Sequence, residues 1–259
     1  MAKKFIKSLL SFFLKIPINS KLIYYLEKFL FYYQGKAWGA STIDTEVNSC
    51  LSLLKQDPNI FIDIGANKGL YTEYMLKKVK NLECHIFEPQ KFNYEILKKK
   101  FKENNIFINN FGLSDFKDKK KLFSDFLGSG SASLTKRRLD HFNIGMNLEE
   151  IVDLNRFDDY WGEKVLKIDY VKIDVEGHEL NVLKGFGELI NNTKLIQFEF
   201  GGCNIDTRTY FQDFWYFFKE KNFLIFRITP RGPKLIKEYS ENAECFITTN
   251  YVALNKKYY

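Results

Sequence analysis

The chain has 259 residues, 45% of them hydrophobic, which is enough to bury the core of one large domain. Its net charge is +7, but residues 1–36 hold seven lysines against one acid, so the basic character belongs to the N-terminus. A nucleic-acid binder more often spreads Lys and Arg over its body, and we therefore expect no nucleic-acid partner. The four separated cysteines and three histidines give no zinc motif, and we expect no metal.

The first predicted element is a basic amphipathic helix over residues 3–16, with lysines on one arc and Phe, Leu and Ile on the other. Pro17 ends it, and a second helix follows from Ser20 to about Gly35. We assign residues 1–44 to a helical appendage and expect residues 1–36 to bind an anionic membrane surface. The alternative is docking on the main domain or on a partner subunit, which the all-round apolarity of the second helix favours.

In the main domain, residues 45–259, short apolar strands alternate with helices. This alternation predicts an α/β fold, with a mostly parallel sheet covered by helices on both faces and an antiparallel C-terminal edge. A less regular stretch covers residues 112–162 and includes a Gly/Ser loop over residues 128–133. The predicted strands cover residues 59–64, 84–87, 106–111, 170–175, 195–200, 223–228 and 245–249.

The first motif begins at the end of the first predicted strand. Asp63 is followed by a turn that contains Gly65, Asn67 and Gly69 and opens a helix. Ligands of such folds bind at the carboxyl ends of the strands, where glycine lets the backbone approach them. The spacing G-x-x-x-G differs from the dinucleotide fingerprint G-x-G-x-x-G, so a dinucleotide is disfavoured.

Two further motifs place acids at strand ends. Glu88 ends the second predicted strand, and its carboxylate can accept both hydroxyls of a ribose. After the fourth strand, Asp174, Glu176 and Glu179 crowd together with His178. Burial and like charges can raise the pKa of such a carboxylate towards that of a general base. Capping of the following helix is the structural alternative, and it accounts for one acid of the cluster.

Together these motifs resemble the FkbM-type methyltransferase family over roughly residues 45–200. Lys172 to Gly177 with Glu179 resembles its most distinctive string, and weaker similarity comes from Ser114 and Asp115. The resemblance implies a Rossmann-like class I methyltransferase fold and S-adenosylmethionine as cofactor. The cofactor-binding residues that we predict from the motifs and the resemblance are Asp63, Gly65, Asn67, Gly69, Glu88, Ser114, Asp115 and Asp174.

The resemblance also implies methyl transfer to a hydroxyl, with a saccharide or a natural product as the acceptor. An alcohol must lose its proton, and a general base typically contributes about 10²–10⁴-fold to the rate. His178 is our first candidate, because its ordinary pKa lies near neutrality, and Asp174 or Glu176 is the competitor.

Two other functions stay open at this point. One is a nucleic-acid methyltransferase, although the main domain shows neither an Asn-Pro-Pro-Tyr-like signature nor a basic stripe. The other is a non-catalytic binding module tethered to a membrane, against which the intact cofactor motifs argue. Scattered cysteines fit a reducing compartment, so we expect a cytoplasmic protein, peripheral on the inner face of the membrane.

Overall fold

The computed structural model describes residues 19–37, 42–162 and 167–259. The predicted helix over residues 3–16 lies outside these ranges. The helices are α1 Ser20–Tyr33, α2 Ile43–Leu54, α3 Leu70–Lys78, α4 Lys91–Lys100, α5 Phe157–Trp161, α6 Glu179–Gly185, α7 Cys203–Thr207 and α8 Phe211–Glu220. The strands are β1 Ile60–Ile64, β2 Glu83–Phe87, β3 Ile106–Asn109, β4 Gly112–Leu113, β5 Asp118–Ser124, β6 Leu148–Asn155, β7 Ile168–Ile173, β8 Thr193–Phe200, β9 Phe223–Thr229, β10 Gly232–Ile236 and β11 Thr249–Asn255.

The main sheet has eight strands in the order β10-β9-β11-β8-β7-β1-β2-β3. The five strands from β8 to β3 pair in parallel, while β11 is antiparallel to both β8 and β9. This order, with one antiparallel strand inserted near the edge, is the Rossmann-like arrangement of class I methyltransferases. It confirms the predicted fold class, and the predicted antiparallel edge is extended by the hairpin of β9 and β10.

Both faces of the sheet are covered, because the central strands are apolar on both sides. One face packs Phe157, Phe186 and Phe214 from the helices against β7 and β8. The other face packs Val47, Cys50 and neighbouring residues of α2 and α3 against the sheet. The boundary that we predicted after residue 44 therefore falls inside α2, a helix whose buried side chains belong to the main core.

Two parts of the fold differ from the strands predicted above. Residues 112–162 contain a small second sheet in the order β4-β6-β5. The last strand covers Thr249–Asn255 instead of residues 245–249, because the apolar run from Tyr251 to Leu254 is the part that pairs with both β8 and β9.

Helix α1 is largely exposed, so the described part of the main domain does not bury its apolar side chains, and docking on a partner subunit stays a prediction. Thirteen of its 14 residues are exposed to solvent within the described structure, and Phe31 is the partly buried one. None of the helices in the described ranges combines the length and apolarity needed to cross a bilayer.

Candidate active site

The turn after β1 holds two strand ends together. Gly65 has a φ of +79°, and a Cβ there would lie 1.9 Å from the carbonyl oxygen of Asp174. The amide of Asp174 donates to the carbonyl of Ile64 at 3.0 Å, which joins the end of β7 to the end of β1. Glycine is therefore required both by the left-handed backbone and by the close approach. The result is an open cradle at the carboxyl edge of the sheet, where ligands of such folds bind.

Asp63 lies beneath this cradle and is fully buried. Its Oδ2 accepts a hydrogen bond of 2.6 Å from the Thr72 hydroxyl, while Oδ1 has no hydrogen-bond partner among the described residues. Burial raises the pKa of Asp63, and the charge of Lys172 opposes that rise. A buried carboxylate oxygen without a donor is costly, so Asp63 is suited to accept a hydrogen bond from a cationic or hydroxyl-bearing ligand.

Glu88 joins the turn after β1 to the start of α4. Its Oε2 accepts from the amide of Asn67, and its Oε1 accepts from the amide of Gln90, both at 2.8 Å. Burial raises the pKa of Glu88 to about 8 despite these two bonds. Since each carboxylate oxygen has a second lone pair, Glu88 can still accept bonds from two ligand hydroxyls.

A first cavity opens beside Glu88. Its wall combines strand-end residues with apolar side chains from the small sheet, a composition that suits a flat heterocycle joined to a sugar. The wall includes Gly65, Asn67, Glu88, Pro89, Leu113, Leu122, Leu134, Asp174, Glu176 and His178.

The Gly/Ser loop also forms this wall, which the sequence analysis did not predict. The side-chain amide of Gln90 donates to the carbonyl of Ser129 at 2.9 Å and so fastens the loop to the start of α4. A Cβ on Gly130 would lie 2.9 Å from the side-chain nitrogen of Asn67. The loop therefore lies against the cofactor turn predicted from the first motif, and its small residues leave the space in between open.

The acids after β7 divide into different roles. Glu179 is fully buried, and its Oε1 accepts from the amides of Val175 and Gly177, both at 3.1 Å. Both amides precede α6, so these bonds hold the turn after β7 and do not cap the helix, whose N-cap residue His178 forms no side-chain capping bond. Glu176 instead pairs with the guanidinium of Arg137, a residue that the sequence analysis missed. Burial, reinforced by the charge of Asp174, raises the pKa of Glu176 to about 8, and Arg137 opposes the rise.

His178 lines the first cavity, on the same wall as Glu176. Its Nε2 lies 3.0 Å from the hydroxyl of Thr135. Burial lowers the pKa of His178, and the charge of Asp115 opposes this shift. The imidazole is therefore neutral near pH 7 and able to accept a proton.

A second cavity adjoins the first and shares five of its lining residues, Gly65, Asn67, Gly130, Asp174 and Glu176. Its floor holds Lys172, whose ammonium lies 3.0 Å from Oδ2 of Asp174. Burial lowers the pKa of Lys172, but the charges of Asp174 and Asp63 outweigh burial and leave this pKa above its ordinary value.

The remaining wall of the second cavity brings in Glu199, Thr248 and Asn250, which the sequence analysis also missed. Burial and the neighbouring charges of Asp174 and Glu176 raise the pKa of Glu199 well above its usual range. Oδ1 of Asn250 accepts from the side-chain amide of Gln197 at 3.0 Å. The cavity thus offers an acid and an amide side chain to a hydroxyl-bearing ligand.

A buried polar network supports this cavity from below. Gln197 accepts at Oε1 from the hydroxyls of Tyr71 and Tyr170, at 2.5 and 2.6 Å. Its amide donates to Oε2 of Glu46 at 2.7 Å as well as to Asn250. Because the side-chain amide of Gln197 forms hydrogen bonds through both its oxygen and its nitrogen, the network fixes the position of Asn250 at the cavity wall.

Ser114 and Asp115 line neither cavity. The Ser114 hydroxyl donates to Oδ1 of Asp115 at 3.1 Å, and Asn181 donates to the same oxygen at 3.1 Å. The carbonyl of Asp115 accepts from Arg156 at 2.6 Å. These contacts tie the end of β4 to α6, so in this structure the two residues support the site from outside it.

The described residues contain no group of three or more His, Cys, Asp and Glu side chains arranged to hold a metal ion. The sheet order and the two cavities at its carboxyl edge define the class of an S-adenosylmethionine-dependent methyltransferase. The open cradle at Gly65, the unpartnered Oδ1 of Asp63 and the position of Glu88 fit that cofactor.

Residues 63–225 match the family described as Methyltransferase FkbM domain. The chain belongs to this family, which confirms the resemblance seen in the motifs, and its cofactor is S-adenosylmethionine. The chain is also similar to Methyltransferase sdnD from Sordaria araneosa, with 27% identity over 170 residues. That alignment covers 54% of this chain and 65% of the relative, so about a third of the relative has no counterpart in it.

Solved structures with similar folds include two O-methyltransferases. A putative O-methyltransferase from Klebsiella pneumoniae is 10% identical with a TM-score of 0.46, and the match covers 93% of this chain and 92% of that one. The O-methyltransferase from Bacillus cereus in complex with SAH is 11% identical with a TM-score of 0.44, covering 93% of each chain. At these scores neither similarity carries an argument about the acceptor.

Proposed function

We propose that this protein transfers a methyl group from S-adenosylmethionine to a hydroxyl oxygen on a sugar or a natural product. The observation that carries the proposal is the pair of adjoining cavities, which share Gly65, Asn67, Gly130, Asp174 and Glu176. One cavity suits the nucleoside of the cofactor. The other offers carboxyl and amide groups, the side chains that bind hydroxyls most readily.

The bound cofactor supplies an electrophilic methyl carbon on a sulfonium, so the chain's own task is orientation and proton removal. Glu88 would accept hydrogen bonds from the ribose hydroxyls of the bound cofactor. Gly65, which lines both cavities, and the buried carboxylate of Asp63 next to it would hold the cofactor at the end of β1. Alignment of the acceptor oxygen with the methyl carbon and the leaving sulfur is mainly an orientation effect.

The acceptor proton passes to a base on the wall of the shared cavity. His178 is neutral near pH 7, which favours it as that base. Asp174 and Glu176 are the competitors. Asp174 forms an ion pair with Lys172, and Glu176 forms one with Arg137. Protonation of either carboxylate would remove the negative charge of its ion pair. The acceptor oxygen would form its bond to the methyl carbon as the bond from that carbon to sulfur breaks, which would leave a neutral thioether.

Calorimetric titration with S-adenosylmethionine tests the cofactor part of the proposal. We expect Glu88→Ala to weaken binding by about 1.5–3 kcal/mol, the usual loss of a hydrogen bond to a charged group. Glu188→Ala is the matched control, because the Glu188 side chain is 87% exposed and far from both cavities. Unchanged affinity in Glu88→Ala would remove the assignment of Glu88 to the ribose.

Transfer of a radiolabelled methyl group to saccharide extracts and to RNA tests the acceptor. We expect label in the saccharide fraction, because the main domain lacks the basic stripe that RNA binding requires. Label that appears in RNA alone would replace this proposal by the nucleic-acid alternative. Cofactor binding without transfer to any hydroxyl would favour the non-catalytic module.

For the cellular location we propose the cytoplasm. The support is that all four cysteines are free thiols and that Cys50, Cys84 and Cys203 are buried, as structural cysteines in a reducing compartment are. Fractionation of cells under mild conditions tests this location. Recovery of the protein outside the cytoplasmic and inner-membrane fractions would contradict it.

A further inference from the structure

Helix α1 presents an apolar surface that no described part of the chain covers. Nine of its large side chains are between 47% and 65% exposed. An α-helix advances by about 100° per residue, so Leu22, Leu26, Phe29 and Leu30 share one arc. The polar residues Ser20, Lys21, Glu27, Lys28 and Gln34 gather on the opposite arc. The helix is therefore amphipathic, and its apolar arc lies open.

The exposure of this arc follows from how α1 is attached. Its partly buried residue, Phe31, lies on the polar arc and contacts the ammonium of Lys36 at 5.3 Å. Lys36 is buried and donates to the carbonyl of Asn242 at 3.1 Å. Tyr33, on the apolar arc, contacts the guanidinium of Arg231 at 4.1 Å, so only the last turn of α1 touches the body, and the apolar side chains from Leu22 to Leu30 are exposed to solvent.

The attachment point lies at the same edge of the sheet as the two cavities. A Cβ on Gly35 would lie 2.1 Å from the carbonyl oxygen of Ile228, so the chain after α1 rests on the end of β9. Strand β9 runs parallel to β8, and its end therefore shares the carboxyl edge. The neighbouring strand β11 supplies Asn250 to the second cavity, at a spacing of about 4.8 Å between paired strands.

Charge identifies what covers the apolar arc. Residues 1–36 carry seven lysines and one acid, so two copies of this segment repel each other, whereas an anionic lipid surface attracts it. Lys21 and Lys28 lie on the polar arc, as the basic residues of helices in a lipid interface do. We propose that α1 lies in the surface of an anionic membrane and holds the edge of the sheet that bears both cavities next to the lipid.

Flotation of the full chain with vesicles tests this inference without any acceptor or cofactor. We expect binding to vesicles of phosphatidylcholine with phosphatidylglycerol, and at least tenfold less binding for the double variant Leu26→Glu with Phe29→Glu. Phe142→Glu is the matched control, because Phe142 is 65% exposed and Phe29 is 63% exposed, and it should bind as the wild type does. Lys21→Gln with Lys28→Gln should weaken binding about thirtyfold at low salt, from roughly 1 kcal/mol per lysine.

Three results would overturn the inference. The double variant could float as well as the wild type, which would assign any lipid binding to residues outside α1. The wild type could fail to float yet form a dimer that the double variant loses, which would assign the apolar arc to a second copy. It could also fail to float and stay monomeric in sedimentation, which would assign the arc to another segment of this chain.

Discussion

Gly65→Ala tests the geometry on which the whole site depends. The new Cβ would lie 1.9 Å from the carbonyl oxygen of Asp174, whereas ordinary contacts of a Cβ begin at 3.4 Å. The backbone at φ +79° costs an alanine roughly 1–2 kcal/mol, and forced displacement of packed neighbours typically costs a further 1–3 kcal/mol. We therefore expect the free energy of unfolding to fall by about 2–5 kcal/mol. Affinity for S-adenosylmethionine should fall with it, because the ends of β1 and β7 must separate.

Gly232→Ala separates the two contributions. Gly232 also has a positive φ, +98°, but an added Cβ there would meet no described atom within 4 Å. This variant should lose only the conformational part, about 1–2 kcal/mol, and bind the cofactor normally. Urea unfolding and calorimetric titration measure both quantities. Equal destabilisation of the two variants, with unchanged cofactor affinity in Gly65→Ala, would refute the role of the close approach.

Three further predictions concern individual side chains. Asp63→Asn should weaken S-adenosylmethionine binding by about 1.5–3 kcal/mol in calorimetry, and an unchanged affinity would mean that Oδ1 meets no ligand. His178→Asn should lower turnover with little change in cofactor affinity; if Glu176→Gln alone abolishes turnover, the base is a carboxylate. In the ligand-free protein the pKa of Glu88 is raised from 4.5 to about 8, so its contribution to stability is present below pH 4.5 and is lost as pH rises towards 8. Glu88→Gln should flatten this decline in urea unfolding, and an identical pH profile would contradict the raised pKa.

The sequence predicted the residues whose place follows from local pattern and sheet order. Asp63 and Glu88 each end an apolar strand, and parallel strands bring such ends to one edge. Arg137 enters the site through long-range packing, and no short pattern marks it. Glu199 is the last residue but one of β8, so the strand-end rule that found Asp63 in β1 would have found Glu199 as well.

A weak family similarity suggested cofactor contact for Ser114 and Asp115; they line neither cavity, and this contact stays a prediction. Their position after β4 does place them near the carboxyl edge, but β4 belongs to the small sheet and turns their side chains towards α6. The sequence predicted the Gly/Ser loop as a loop. Its position beside Asn67 depends on β5 and β6, two strands that the sequence analysis did not predict because their residue patterns are irregular.

The electrostatics of the site make a last prediction about the cofactor and its product. Burial raises the pKa of Glu88 and that of Glu176 to about 8, and the guanidinium of Arg137, which forms an ion pair with Glu176, opposes the rise at that residue. A sulfonium bound in the cavity that both acids line would favour their charged forms and so release protons on binding. The neutral thioether product lacks this charge, so it should release fewer protons. Calorimetry in buffers of different ionisation enthalpy measures the number of protons released on binding. Equal numbers for S-adenosylmethionine and its product would show that the pKa values of these acids do not respond to the sulfonium. Glu88→Gln with Glu176→Gln should remove the difference, which would give the acidic wall a direct part in releasing the product.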